Sequence, residues 1–455
     1  MAFTSINPAN GRLLRRIEEW DAKRLEMTLQ QAASAAPVWS SASISERSRL
    51  FAKLAGLLRQ RQDELARLIT EEMGKLIKEA RAEIEKCALA CDHYAEHGAA
   101  FLADEIIPSD AGKSYINYQP LGTVLAIMPW NFPFWQAFRC AIPALLAGNT
   151  VLLKLASNVM QCALAIEQLF REAGFPPDVF VTLLIGSEQT QRLIADPRVQ
   201  AVSLTGSVEA GRQVAASAGQ HLKKTVLELG GSDAFIVLDD ADLAYTVEQA
   251  RIARFQNAGQ SCIAAKRFIV LDSIADEFVE RFKWEIEQKL LAGDPLHEAT
   301  TLAPLARADL RDSLHRQVTD SIAQGAQPIT GCVPLEGPGN YYTPSLLNHV
   351  KPGMRAYHEE LFGPVASIIQ VRDEQEAVHV ANATSFGLGG SVWTRDSERG
   401  ERLARKLACG LAFVNGIVKS DPRLPFGGVK DSGYGRELAY LGMREFVNIQ
   451  TVWIK

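Results

Sequence analysis

The chain has 455 residues, 47% of them hydrophobic and 22% charged, with a formal net charge of -5. At about 150 residues per domain, that length predicts two or three domains with sizeable cores. No basic block stands out, which argues against a nucleic-acid partner. No apolar run reaches about 18 residues, which argues against a membrane span. The opening Met-Ala-Phe-Thr-Ser-Ile-Asn-Pro lacks a charged segment leading into an apolar one, so it does not read as a signal peptide. Seven cysteines, odd in number, scattered and without a Cys-x-x-Cys pair, predict free thiols in a cytoplasmic protein rather than a disulfide framework.

From about Asp21 to Glu105 the pattern is helical. Leu50, Leu54, Leu57, Leu58, Leu65, Leu68 and Ile69 recur at helical spacing, with Glu, Arg and Lys filling the other face. Within this region His93-Tyr94-Ala95-Glu96-His97 matches the His-x-x-Glu-His pattern of some zinc peptidases. No third ligand accompanies it, so two histidines on a half-exposed helix are expected there, and no metal site. Cys87 and Cys91 share a helix face and read as packing residues.

From Ser114 the pattern changes. Residues 114–118 alternate weakly. Strands are expected at 122–128, 150–154, 179–185, 201–204 and 225–229. Between them lie an amphipathic helix near 134–146, a helix at 159–173 and two further helices. Strands alternating with helices predict an α/β fold with doubly wound parallel sheets. Such sheets bind nucleotides beyond the carboxyl ends of their strands. The alternation repeats after Gly231, with strands at 234–238 and 267–271 and a helix at 275–291 that Gly293-Asp294-Pro295 breaks. The division expected is 1–113 with 122–229 as a dinucleotide-binding domain and 230–432 as a catalytic domain. Residues 114–121 and 433–455 form a small β element, strand material suited to completing a neighbour's sheet.

A helical pattern at 242–255 runs up to Gln256-Asn257-Ala258-Gly259-Gln260-Ser261-Cys262. Gly259 permits a tight turn and close approach to a ligand. Gln260 and Ser261 give the cysteine a polar setting, as a nucleophilic thiolate requires. A core cysteine is the alternative at this point. Thr205-Gly206-Ser207 follows a strand and opens a helix, a place for a phosphate or simply a capped turn. Glu228-Leu229-Gly230-Gly231 closes a strand, where desolvation turns a carboxylate into a usable base. Asn131 sits in Pro129-Trp130-Asn131-Phe132-Pro133, a stiff segment able to aim its amide at an oxyanion. Glu359-Glu360-Leu361-Phe362-Gly363-Pro364 and Pro425-Phe426-Gly427-Gly428 are further rigid turns.

Taken together, Pro-Trp-Asn-Phe-Pro, Glu-Leu-Gly-Gly, Gly-Gln-Ser-Cys and Glu-Glu-Leu-Phe-Gly-Pro resemble the aldehyde dehydrogenase superfamily, over nearly the whole chain and in the same order. The resemblance implies that Cys262 attacks an aldehyde as thiolate. It implies that Asn131 and the Cys262 N–H hold the oxyanion, and that Glu228 activates the water that hydrolyses the resulting thioester. It also implies cofactor contacts from Trp130, Lys154, Ser157, Thr205, Gly206, Ser207, Leu229, Glu360 and Phe362, and a homodimer or homotetramer built through residues 114–121 and the tail.

Within that superfamily, Leu153-Lys154-Leu155-Ala156-Ser157-Asn158 and Ser420-Asp421-Pro422-Arg423-Leu424-Pro425 resemble bacterial succinate-semialdehyde dehydrogenases. Arg139 and Ser420 then stand where the family reads the substrate's distal carboxylate. A second family arginine, six residues before the cysteine, is replaced by Gln256, which leaves room for a broader range of aldehydes. Arg254 lies nearby in a different register. Ala264 occupies the place where some members carry a second, redox-active cysteine. Relatives that prefer NAD carry a glutamate at the position of Ser157. A small neutral serine beside Lys154 predicts a preference for NADP, with NAD usable, unless Ser157 merely caps a helix.

Overall fold

The computed structural model describes residues 2–455. Runs of Val, Leu, Ile and Ala without a polar face form strands buried on both sides, as central strands of parallel sheets are. A six-stranded sheet has the order Gly433–Tyr434, Lys224–Glu228, Val199–Thr205, Thr123–Met128, Thr150–Leu155 and Phe180–Thr182. All its neighbours are parallel except the short edge strand Gly433–Tyr434. From Thr123–Met128 the chain winds outward on one side through Thr150–Leu155. It then returns to the other side at Val199–Thr205. This reversal leaves a crevice beyond the strands' carboxyl ends, where such sheets take ligands.

A second sheet has seven strands, in the order Gln327–Thr330, Ser345–Asn348, Val365–Val371, Ala265–Leu271, Asp233–Val237, Gly389–Trp393 and Leu411–Val414. Only the edge strand Gln327–Thr330 is antiparallel. Each sheet has its own apolar core. The architecture is the expected α/β one, two parallel-sheet units with a small β element. That element is a three-stranded antiparallel sheet in which Lys113–Pro120 pairs with Val447–Ile454 on one side and Glu105–Ile106 on the other. The tail is shared between sheets, since Gly433–Tyr434 pairs with Leu227 and Glu228.

Three expectations need correction. The helix Pro133–Leu146 is buried along its whole length rather than amphipathic, because helix Ile77–Phe101 covers the face turned away from the sheet. Its only strongly polar residues, Gln136 and Arg139, are buried too. The strand expected at 179–185 is only Phe180–Thr182. The charged side chains of the amino-terminal helices are not all solvated. Glu72, Lys75 and Glu83 are buried, with Lys75 ion-paired to Glu83. A hairpin of Ala2–Ile6 with Leu13–Glu18, for which there was no expectation, precedes the helices. Among the described residues, no helix is long and apolar enough to cross a membrane.

Candidate active site

Helix Leu243–Phe255 ends against a loop in which Asn257, Ala258 and Gly259 have φ of 54°, 52° and 74°. Three consecutive left-handed residues are costly for L-amino acids, and most of all for alanine. The surrounding hydrogen bonds hold them. Asn257 N–H donates to Glu79 Oε1 at 3.0 Å. Asn257 Nδ2 donates to Asn131 O at 2.9 Å and Gln260 O at 3.0 Å. Gln260 Oε1 accepts from Ala306 N–H at 2.9 Å. At Gly259 a Cβ would strike Arg254 Nη2 and Gly363 O, so only glycine fits.

The loop delivers Cys262 half-buried, unlike the fully buried Cys87, Cys91, Cys140 and Cys162. Lys266 Nζ donates to the carbonyls of Ser261, Cys262 and Ala264 at 2.9, 2.7 and 3.1 Å. Burial pushes the Cys262 thiol up to about 11, opposed by the charges of Arg139 and Lys266. Arg254 lies fully buried and turned inward. It donates to the carbonyls of Ala265, Gly259, Leu361 and Gly363, tying the cysteine loop to the Glu359–Pro364 turn. Gln256, in place of the family arginine, is exposed.

Asn131 is buried just after strand Thr123–Met128. Its Nδ2 gives one N–H to Gln260 O at 3.2 Å. The second has no partner among the described residues and is left for an oxyanion. The following helix is anchored by Glu83, whose Oε1 accepts from Phe134 N–H at 2.9 Å and Trp135 N–H at 3.0 Å. Lys75 lies 3.6 Å from the Phe132 ring centroid. Nothing in the local sequence marks Lys75, Glu79 or Glu83 as part of this site; only the packing of helix Ile77–Phe101 and the turn before it does, whereas Lys266 stands in Ala264-Ala265-Lys266-Arg267-Phe268, a stretch that also resembles the succinate-semialdehyde dehydrogenases.

Glu228 ends its strand with neither carboxylate oxygen hydrogen-bonded, although it is 3% exposed. Burial, then the neighbouring Glu437, hold its carboxyl well above the usual range. Gly427 lies against it, where a Cβ would come within 2.7 Å of Oε1. Arg139 charge acts on both Cys262 and Glu228. Its guanidinium is ion-paired through Nε with Glu437 and donates from Nη2 to Thr205 Oγ1 at 3.3 Å, so one edge of it is held by the protein. Ser420 is buried and its Oγ accepts from Lys86 Nζ at 2.6 Å and Trp135 Nε1 at 3.1 Å.

The remaining expected residues gather at the crevice. Lys154, half-buried at the end of its strand, has no ion-pair partner among the described residues, and burial pulls its ammonium below the usual lysine range. Ser157 is exposed and does not cap. Ala156 holds the cap position of the short helix Ser157–Val159, and the Ser157 hydroxyl has no partner among the described residues. An unpaired cation beside a free hydroxyl fits a phosphate. A Cβ at Gly206 would only touch the Leu204 side chain, and the Gly206 N–H donates to Glu228 O at 3.0 Å. Ser207 caps helix Val208–Gln220. Leu229 packs against Gly211. Trp130 and Phe362 meet edge to face with centroids 5.8 Å apart. Glu360 accepts from Gly231 N–H at 3.1 Å and pairs with Lys266 at 3.3 Å, which links this turn to the Cys262 carbonyl.

The family model of the aldehyde dehydrogenase family matches residues 1–452. A probable succinate-semialdehyde dehydrogenase [NADP(+)] of Synechocystis sp. is 50% identical over 454 residues, covering 100% of both chains. The succinate semialdehyde dehydrogenase [NAD(P)+] Sad of Escherichia coli is 49% identical, covering 99% of this chain and 97% of that one. The crystal structure of succinic semialdehyde dehydrogenase from Streptococcus pyogenes in complex with NADP+ superposes with a TM-score of 0.98, at 37% identity and 100% coverage of both chains. With two largely parallel sheets and a match along nearly its full length, this chain belongs to the aldehyde dehydrogenase family.

Proposed function

We propose that the chain oxidises succinate semialdehyde to succinate with NADP, NAD serving less well. The observation that carries the chemistry is Glu228: a buried carboxylate, unpartnered at both oxygens, under the same Arg139 charge as the half-buried Cys262 thiol. Cys262 sulfur bonds to the aldehyde carbon, and the carbonyl oxygen becomes an oxyanion against the free Asn131 N–H and the Cys262 N–H. The bound nicotinamide supplies the hydride acceptor. Loss of hydride leaves a thioester on Cys262. Glu228 takes a proton from water, the resulting hydroxide attacks the thioester, and the carboxylic acid leaves as the thiolate returns. A water activator in this position favours hydrolysis over transfer to coenzyme A.

Lys154 and Ser157 are assigned to the adenosine ribose and its 2′-phosphate. Gly206 and Ser207, with Thr205 and Leu229 behind them, are assigned to the pyrophosphate. Trp130, Glu360 and Phe362 are assigned to the nicotinamide side. Ser420 is assigned to the substrate's distal carboxylate. Arg139, expected beside it, contributes charge from deeper in the site while held by Glu437. The domain limits remain those read from the sequence. Unpaired thiols suit the reducing cytoplasm. Ile449, Trp453 and Ile454, exposed on the three-stranded sheet, suit assembly into a homodimer or homotetramer. Light scattering tests the assembly.

The reaction is tested by absorbance of reduced nicotinamide with succinate semialdehyde and butanal, each with NADP and NAD. The expected result is a higher kcat/KM for succinate semialdehyde and for NADP. Equal rates on both aldehydes would favour the broader-specificity alternative that Gln256 invites.

A further inference from the structure

Helix Ile77–Phe101 carries two charged side chains three residues apart, on one face. Glu83 is committed at every oxygen, to Lys75 and to the N–H groups of Phe134 and Trp135. Lys86 has no ion-pair partner among the described residues. Its ammonium donates to Ser420 Oγ at 2.6 Å and lies 4.5 Å from the Trp135 ring centroid. Trp135 Nε1 donates to the same Oγ at 3.1 Å. With both acceptor sites of that hydroxyl filled, its own proton is free to be donated outward. Two N–H groups of the ammonium are also left over.

These donors face a cleft of about 530 Å³, lined by Lys86, His93, Lys419, Ser420, Asp421 and Arg423. Its one acid, Asp421, is already paired with Arg423 at 2.6 Å. The cleft is therefore a cationic opening whose one anion is already paired. Burial, then the charge of Arg139, pull the Lys86 ammonium down to about 8, a cost that a bound carboxylate removes. Through Trp135 the cleft joins the first turn of helix Pro133–Leu146, which starts two residues after Asn131. The oxyanion donor thus precedes the same helix start that the cation touches through the Trp135 ring.

We propose that Lys86, with the Ser420 hydroxyl, receives the distal carboxylate of the semialdehyde substrate, and so supplies the cation missing at Gln256. This rests on the semialdehyde reading above. Glu83 holds the geometry by docking the helix that carries Lys86 onto the helix that carries Trp135.

The test compares kcat/KM for succinate semialdehyde and butanal in the parent, Lys86→Met and Lys86→Arg, with NADP throughout. The ratio of the two values is expected to fall roughly 10- to 150-fold in Lys86→Met, mainly through KM, as loss of a charged hydrogen-bonding partner predicts. Lys86→Arg should recover much of it, since a guanidinium also pairs with a carboxylate. A second readout is inhibition by succinate, whose inhibition constant should rise similarly in Lys86→Gln. Nucleotide binding by fluorescence checks the fold of each variant. A parent that does not prefer succinate semialdehyde overturns the substrate reading itself. A parent that does, with a ratio unchanged in Lys86→Met, overturns only the role of Lys86. Equal losses on both aldehydes make Lys86 structural and overturn it too.

Discussion

The cysteine loop and the Lys86 cleft lie on two sides of the same helix start and are built in opposite ways. In the loop, three left-handed residues are pinned by Glu79, Asn131, Gln260 and Arg254, although Glu79 Oε2, Asn131 Oδ1 and Asn257 Oδ1 keep no hydrogen-bond partner among the described residues. In the cleft, an ammonium and a hydroxyl are held close but not neutralised. The first arrangement stores backbone strain in order to place an atom. The second leaves charge unsatisfied in order to receive one. A pinned backbone places the sulfur, an ammonium without a counter-ion faces a ligand, and the unpartnered Glu228 shows that unsatisfied charge also serves the proposed chemistry. Lys154, at the end of its strand and without an ion-pair partner among the described residues, repeats the second pattern.

The largest expected effect breaks the first side. Cys262→Ala should lower kcat by about four orders of magnitude or more, as loss of a nucleophile does, while NADP still binds. Steady-state turnover and fluorescence titration check this, and near-normal turnover would sink the assigned chemistry. Next comes Glu228→Gln, expected to lower steady turnover by roughly 10²- to 10⁴-fold while keeping the first burst of reduced cofactor in stopped flow. Loss of the burst would assign Glu228 to an earlier step. The same residue predicts a pH effect. Its folded-state value is raised, so the buried neutral carboxyl stabilises the fold at low pH, and that contribution is lost as pH rises through the raised value. Parent Tm should therefore fall over that range more steeply than that of Glu228→Gln.

Gly259→Ala probes the strain directly. It adds a side chain at φ 74° against Arg254 and Gly363, and should cost about 2 kcal/mol or more by urea unfolding. A neutral result would mean that the loop relaxes freely. The smallest effect sharpens the second pattern. Ser157→Glu should reverse or abolish the NADP preference, a change of about tenfold in the ratio of kcat/KM values, since a carboxylate beside Lys154 repels a 2′-phosphate. An unchanged ratio would leave Lys154 as the sole determinant.

Local signals carried much of this. The alternation of apolar runs with helical patterns announced both parallel sheets, because burial on both faces leaves a continuous hydrophobic strand. The short motifs at Asn131, Glu228, Cys262 and Glu360 were legible because tight turns and strand ends demand Gly, Pro and polar residues together. The helix Pro133–Leu146 was misjudged because periodicity reports one buried face, and here a second helix covers the other. The pieces at 114–118 and the tail were legible as strand material, but their pairing with each other, Ile449 opposite Tyr118, is a matter of register.

What the sequence by itself determined is the fold class and the family, because backbone geometry and the motifs at turns and strand ends are written locally. What only the tertiary structure decided is which charges are answered. Glu83 and Lys86 stand three residues apart on one helix and look alike as surface charges. One is buried as a docking anchor and the other left as an open cation. That difference arises from which helix packs against which turn, across more than 300 residues in the case of Lys86 and Ser420. Charge energetics depend on burial and on partners distant in the chain, neither of which local pattern can express.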